Sequence, residues 1–292
     1  MYQILKQYKL TSIHLMVVIL GFTGIFGKLI SLDTLDLVWY RMLIAFISLA
    51  IFLFMKNKLF AISKKNFLGV LGVGGLVAIH WLCFFESIKV SSVSVAVVCL
   101  STSSLFSALI EPIFFKRKLL AYEVIMAIIV AAALAFIMGM ETQYLWGYIY
   151  GILAAFLGTL FTLFNAMYIK KTSAAQITMI EMLAGVLIIT CILLFQKDYT
   201  VFTSLISTTD LLYLVILGVL CTAMVFVWMT EIMRYITPYS LIMAINLEPI
   251  YSIILALIIF GDNELMSPAF YIGSSIIIGV VFLEGYLKNK QD

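Results

Sequence analysis

From Leu10 onward the sequence is a succession of apolar runs, separated at almost regular intervals by short clusters of charged or turn-forming residues. Each run is about twenty residues long, the length a helix needs to cross the hydrocarbon of a bilayer. Strands of a membrane barrel would need about ten residues with strict in–out alternation, and no such alternation is present. Helices also satisfy their backbone donors and acceptors internally, which lipid demands. The runs therefore predict an all-α, polytopic membrane protein with ten transmembrane helices, over residues 10–30, 35–55, 66–85, 92–115, 120–140, 146–169, 174–196, 209–231, 237–260 and 268–288.

Composition agrees. Of 292 residues, 64% are hydrophobic and 11% charged, against roughly 25% charged in an average protein. Ten spans with short connections use the whole length, which leaves no room for a separate soluble catalytic module. Cys83, Cys99, Cys191 and Cys221 all lie within apolar runs, without the close pairing of a metal or redox motif, and read as small core residues. Lys6 and Lys9 ahead of the run from Leu10 have the outline of a signal peptide. That run is too long for a secretory signal and no small-residue cleavage site follows, so a retained first helix is expected.

The basic residues set the orientation. Alternate connections hold Lys6 and Lys9; Lys56, Lys58, Lys64 and Lys65; Lys116, Arg117 and Lys118; Lys170 and Lys171; Arg234; and Lys288 and Lys290, fourteen of the eighteen basic residues. The other side holds only Lys89 and Lys197, among acids such as Asp33, Glu86, Asp210 and Glu264. By the positive-inside rule both termini are expected in the cytoplasm, in a bacterial inner membrane.

The two halves resemble each other. At an offset of 145 residues Glu86 falls on Glu231, Lys89 on Arg234, Ser107 on Ser252 and Phe115 on Phe260. Residues 1–143 and 144–292 are thus expected to be two five-helix repeats. Because five is odd, the second copy must lie upside down in the membrane. Inverted repeats are characteristic of transporters, with the substrate near the midplane between the copies.

Phe84 to Leu119 reads FFESIKVSSVSVAVVCLSTSSLFSALIEPIFFKRKL, and Met229 to Leu265 reads MTEIMRYITPYSLIMAINLEPIYSIILALIIFGDNEL. With the duplication, these segments resemble the EamA branch of the drug/metabolite transporter superfamily. Gly261-Asp262 approximates the Gly-Glu-like boundary that closes the family's segment, whereas Lys116-Arg117-Lys118 departs from it in the first half. The resemblance covers essentially the whole chain and implies two five-helix bundles around a central cavity. Helices 1–4 and 6–9 would line that cavity, with helices 5 and 10 at the edge. Relatives move amino acids, nucleobases, drugs and other metabolites.

Polar residues inside the spans are the candidates for a site, because a charge at mid-bilayer costs about 2.5–3.5 kcal/mol and so asks for a partner or a cavity. Glu248, directly before Pro249, is the sharpest case: a cavity-facing carboxylate that binds a substrate or cycles a proton, or a structural carboxylate between helices. On an ideal helix Ser240, Glu248, Tyr251 and Ser252 share an arc of roughly 120°, with Asn246 turned well away from Glu248. His80 and Trp81, with Phe84 beside them, would suit an aromatic or zwitterionic solute, His80 being a second proton carrier; packing is the plainer reading. Ser101 and Asn165 are candidate cavity hydrogen-bonders, although small hydroxyl residues often serve close helix packing. Lys28, Arg41 and Glu181 are expected near helix ends as mouth charges, and Lys28 and Arg41 could equally snorkel to the interface.

No nucleotide-binding loop, zinc-peptidase motif or nucleophile elbow occurs. The expectation is a secondary active transporter, an exporter of amino acids, nucleobases or amine-like compounds, working by alternating access. Its partners would be the substrate, the bilayer and a coupling proton, with no cofactor, metal or nucleic acid. A passive channel or facilitator is the alternative, although no charged ring or carbonyl filter is visible.

Overall fold

The computed structural model describes residues 9–59, 62–116, 118–203 and 205–289, and every regular element among them is helical. Eight helices are long and apolar enough to cross a membrane: α2 (Thr34–Met55), α3 (Lys64–Val90), α4 (Val93–Phe115), α5 (Ala121–Met140), α6 (Thr142–Tyr168), α7 (Ala174–Gln196), α8 (Thr208–Ile232) and α9 (Pro238–Glu264). They are flanked by α1 (Lys9–Leu29) and α10 (Pro268–Asn289), whose described apolar stretches, Ile13–Leu29 and Pro268–Leu283, are shorter. Lys6, Arg117 and Lys290 of the charge pattern lie outside the described residues, as do the side chains of Lys9 and Lys288.

Short polar residues start these helices. Ser63, Ser92, Ser173, Ser207 and Thr237 each accept a hydrogen bond from the backbone N–H three residues on, occupying a donor that would otherwise be orphaned. Large apolar side chains such as Ile113, Ile128 and Ile258 point outward and are exposed, while Arg41, Glu181, Asn165 and Glu248 are buried. An apolar outside around a partly polar inside is the distribution that lipid, and not water, favours.

Packing partners repeat when the helix number is advanced by five. The second half of α9 packs on α1 as α4 packs on α6; α3 packs on α7 as α8 packs on α2; α5 and α10 pair with each other at the edge. Gly147 and Gly151 permit one of the closest crossings: a Cβ at Gly151 would stand 2.6 Å from Cβ of Cys99. These two glycines are packing features, as their spacing suggests.

Two helices are broken, and at matching places. α4 comprises Val93–Leu100 and Ser103–Phe115; α9 contains Pro238–Ile245 and Glu248–Phe260. All four boundaries recur 145 residues later, as do the caps Ser92 and Thr237. In α9 the cause is Pro249, which has no N–H to give to the carbonyl of Ile245. In α4 there is no proline at the break. There the Thr102 hydroxyl donates to the Cys99 carbonyl at 2.6 Å, and the Ser104 hydroxyl to that of Ser101 at 3.0 Å. Such back-bonding competes with the helical ladder. A third irregularity is a π-helical turn in α8, Val219–Met224.

Polar bonds tie the helix ends together at one end of the bundle. Lys28 donates to Glu264 at 2.6 Å, and Glu264 also accepts from the backbone N–H of Val93 and Ser94 at the start of α4. Asp210 accepts from the N–H and hydroxyl of Ser31, Glu86 from the hydroxyl of Thr34, and Lys89 donates to the Ile30 carbonyl. At the other end Gln176 donates to the carbonyl of Lys58, and Arg234 to that of Thr172. The lysine-rich connections after α2 and α6 therefore share one end.

Candidate functional site

Where the breaks of α4 and α9 face each other, the middle of the bundle is hollow. The cavity holds about 710 Å³ of atom-free space, any opening included. Leu100 and Ser103 line it from either side of the α4 break, and Ile245, Asn246, Glu248 and Pro249 from either side of the α9 break. Helices α1, α2, α3, α6 and α8 contribute the remaining walls. α7 does not line it, and α5 and α10 stand outside.

Aromatic rings make one wall. Trp81 meets Phe226 edge-on, with centroids 5.0 Å apart, and Phe226 stacks on Phe161 at 5.9 Å. His80 meets Phe161 edge-on at 5.2 Å and stacks at 6.5 Å with Phe84. Nδ1 of His80 lies 2.7 Å from the Ala154 carbonyl. A carbonyl can only accept, so this nitrogen carries the proton and Nε2 is left as the acceptor of the neutral ring.

Two charged groups complete the cavity. Arg41, 1% exposed, lays its guanidinium 3.8 Å from the Trp81 ring centroid and 5.3 Å from that of Phe85. Its Nε donates to the hydroxyl of Thr222, in the π-helical turn, at 2.6 Å; that hydroxyl in turn donates to the Leu217 carbonyl five residues back, just before the turn. Nη1 of Arg41 has no acceptor among the described residues. Glu248, 5% exposed, begins the second half of α9 and interacts electrostatically with Arg41, with no ion pair between them among the described residues. Asn246 joins them, its Nδ2 without a partner among the described residues.

Of the residues singled out from sequence, His80, Trp81, Phe84 and Glu248 meet in this cavity. Ser101 sits buried in the α4 break without lining the cavity, its hydroxyl without a partner among the described residues. Tyr251 lies against Gly21 of α1, and Ser252 donates to the Gly21 carbonyl, so both serve the α1–α9 contact. Asn165 is buried behind the wall, beside Glu181.

Three placements need correction. Arg41 is not a mouth charge and does not snorkel, because Thr222 and two aromatic faces hold it inside the bundle. Glu181 is likewise wholly buried, near the crossing where Gly74 lets α3 approach its backbone. Asn246 and Glu248 both face the cavity, because the helix is broken between them and an ideal wheel no longer applies. Lys28 keeps partial exposure at its helix end but is paired with Glu264 and lies 4.7 Å from the Phe260 ring centroid.

Phe226, Thr222 and Glu264 escaped the sequence reading. Phe226 was within reach of it, since it stands 145 residues after Trp81 and touches it across the two halves. Thr222 and Glu264 look like an ordinary hydroxyl and an ordinary loop acid until their partners, Arg41 and Lys28, are known. Among the described residues no cluster of three or more His, Cys, Asp or Glu could hold a metal ion.

Comparison with known proteins identifies the family and the fold. The model of the EamA-like transporter family matches the chain twice, over residues 9–139 and 145–284. An uncharacterized transporter of Bacillus subtilis (strain 168), YxxF, is 26% identical over 270 residues, covering 88% of this chain and 84% of that protein. A solved crystal structure superposes with a TM-score of 0.68 over 93% of this chain and 95% of the other, at 13% identity, which speaks to the fold alone. The chain is an integral membrane protein and a member of the EamA-like transporter family, built as two EamA repeats.

Proposed function

We infer that this protein is a secondary active transporter that exports small metabolites, such as amino acids, nucleobases or amine-like compounds, across the bacterial inner membrane. In this reading ten helices cross the bilayer as two inverted five-helix repeats, with both termini in the cytoplasm. Recurrence of packing partners under a shift of five helices supports the repeat. The gathering of alternate connections at opposite ends of the bundle supports the topology. The carrying observation is the facing pair of broken helices, Val93–Leu100/Ser103–Phe115 and Pro238–Ile245/Glu248–Phe260, with a charged cavity between them. Discontinuous helices at a repeat interface expose helix ends and free backbone groups to a solute at mid-membrane.

Alternating access follows if the halves rock about this cavity. The end that carries Lys28, Glu264, Ser31 and Asp210 is the outer one by the positive-inside rule, and among the described residues it carries more bonds between the halves than the other end, where Gln176 donates to the Lys58 carbonyl. A latched outer end favours loading from the cytoplasm, hence export. Glu248 is the first choice for a coupling proton, since its carboxylate lines the cavity and has no hydrogen-bond donor among the described residues. His80 is the second, through its free Nε2.

Substrate flux in proteoliposomes, with and without an imposed pH gradient, tests this. Wild-type flux is expected to follow the gradient and Glu248→Gln flux to ignore it. Gradient dependence that survives in both Glu248→Gln and His80→Asn would remove the proton mechanism. Flux that never saturates would favour a channel.

A further inference from the structure

Arg41 is the strongest unspent group in the molecule. An arginine carries five N–H donors in a planar fork suited to a carboxylate. Here only Nε has an acceptor among the described residues, and that acceptor is a neutral hydroxyl. Nη1 is buried and unpartnered, in a side chain that lines the cavity. Leaving a buried charged donor unpaired is costly, and native structures rarely do so without a reason.

The surroundings also fix the fork in place. Trp81 and Phe85 hold the guanidinium by their faces, and Thr222 fixes its Nε edge. The remaining nitrogens donate to nothing among the described residues. Glu248, the acid that interacts with Arg41 there, forms no ion pair or hydrogen bond with it among the described residues. The pair therefore balances charge without using up the fork.

We propose that Arg41 is the anion-recognition residue of the cavity, and that the transported solute carries a carboxylate which docks on this guanidinium while its apolar body lies among Trp81, Phe161 and Phe226. The proposal rests on the transport reading and narrows it from metabolites at large to organic carboxylates. Charge-assisted, two-point hydrogen bonding to a desolvated arginine separates an acid from its neutral amide strongly.

The test uses wild-type protein first, so it does not depend on any variant folding. Thermal stabilisation and liposome flux are measured with two matched sets of probes: 3-phenylpropionate, 3-phenylpropionamide and 3-phenylpropylamine; and pentanoate, pentanamide and pentylamine. At least one acid is expected to bind and move about 10- to 100-fold more favourably than its amide and amine. Arg41→Gln should abolish that preference, and Arg41→Lys should restore part of it. The double variant Arg41→Gln/Glu248→Gln removes both charges together. If Arg41 serves only to balance Glu248, the double variant keeps wild-type preference for the acid; under the proposal it loses it.

Saturable flux of an amide or amine with both acids inert would overturn the proposal and leave the transporter reading intact. Failure of both acids to bind would overturn the proposal as well. Transport itself would stand refuted if a full panel of amino acids, nucleobases and amines also produced no flux.

Discussion

Lys28, near the end of α1, and Glu264, at the end of α9, form a 2.6 Å ion pair between the two repeats. Glu264 is fully buried and also caps α4, accepting from Val93 and Ser94, so one carboxylate fastens three helices. Glu264→Ala leaves a lysine and two backbone donors without their acceptor. A destabilisation of about 3 kcal/mol is expected, read from thermal or denaturant unfolding in detergent. Glu264→Gln keeps one acceptor oxygen and should cost less. If this end faces out, as proposed, either change should also raise labelling of a cysteine introduced at Ser31 by an impermeant maleimide added outside, because the end opens more often.

Pro249 should act in the opposite sense. Pro249→Ala supplies the N–H that the Ile245 carbonyl lacks, and alanine is the better helix former by about 3 kcal/mol in a helix interior. The break in α9 should partly heal, with a higher melting temperature and a lower maximal transport rate. A variant that is less stable, or as fast as wild type, would show that the break does not depend on the proline.

The contact of Trp81 with Phe226 can be apportioned by a double-mutant cycle. Trp81→Ala alone should cost about 3–5 kcal/mol, as large-to-small changes in packed interiors do. Adding Phe226→Ala should cost less than the sum of the two single changes, with a coupling of about 0.5–1.5 kcal/mol from the edge-on pair. Full additivity in unfolding measurements would mean the rings do not act on each other.

Thr222→Val removes the only hydrogen-bond acceptor that Arg41 has among the described residues, while keeping the shape of the side chain. A loss of about 1.5–3 kcal/mol is expected, as for other hydrogen bonds to charged groups. If Arg41 reads the solute's carboxylate, the variant should also lower affinity for acids, since the fork is then free to turn.

Much of the architecture was readable from apolar run length and charge placement, because lipid allows few alternatives. The expected start of α7, residue 174, is where Ser173 caps it, whereas the equivalent breaks in α4 and α9 left no mark in apolar runs that read as continuous spans. The site was legible where aromatic and titratable residues are neighbours in sequence, as His80 and Trp81 are. It was not legible where a partner lies far away in the chain. Arg41 is held by Thr222, 181 residues on, and an arginine a few turns from a helix end looks the same whether it reaches inward or snorkels. The helical wheel failed at Asn246 for a different reason: it assumes a continuous helix, and the chain is interrupted at that residue.

The π-helical turn of α8 stores one residue of slack within a span. Taking up that residue would rotate the segment from Val225 onward by about 100° relative to the segment before it. Phe226 would swing off Trp81, yet the backbone would stay hydrogen-bonded throughout. A rod that can twist internally by one notch lets the cavity wall change its face while both ends of the rod stay anchored.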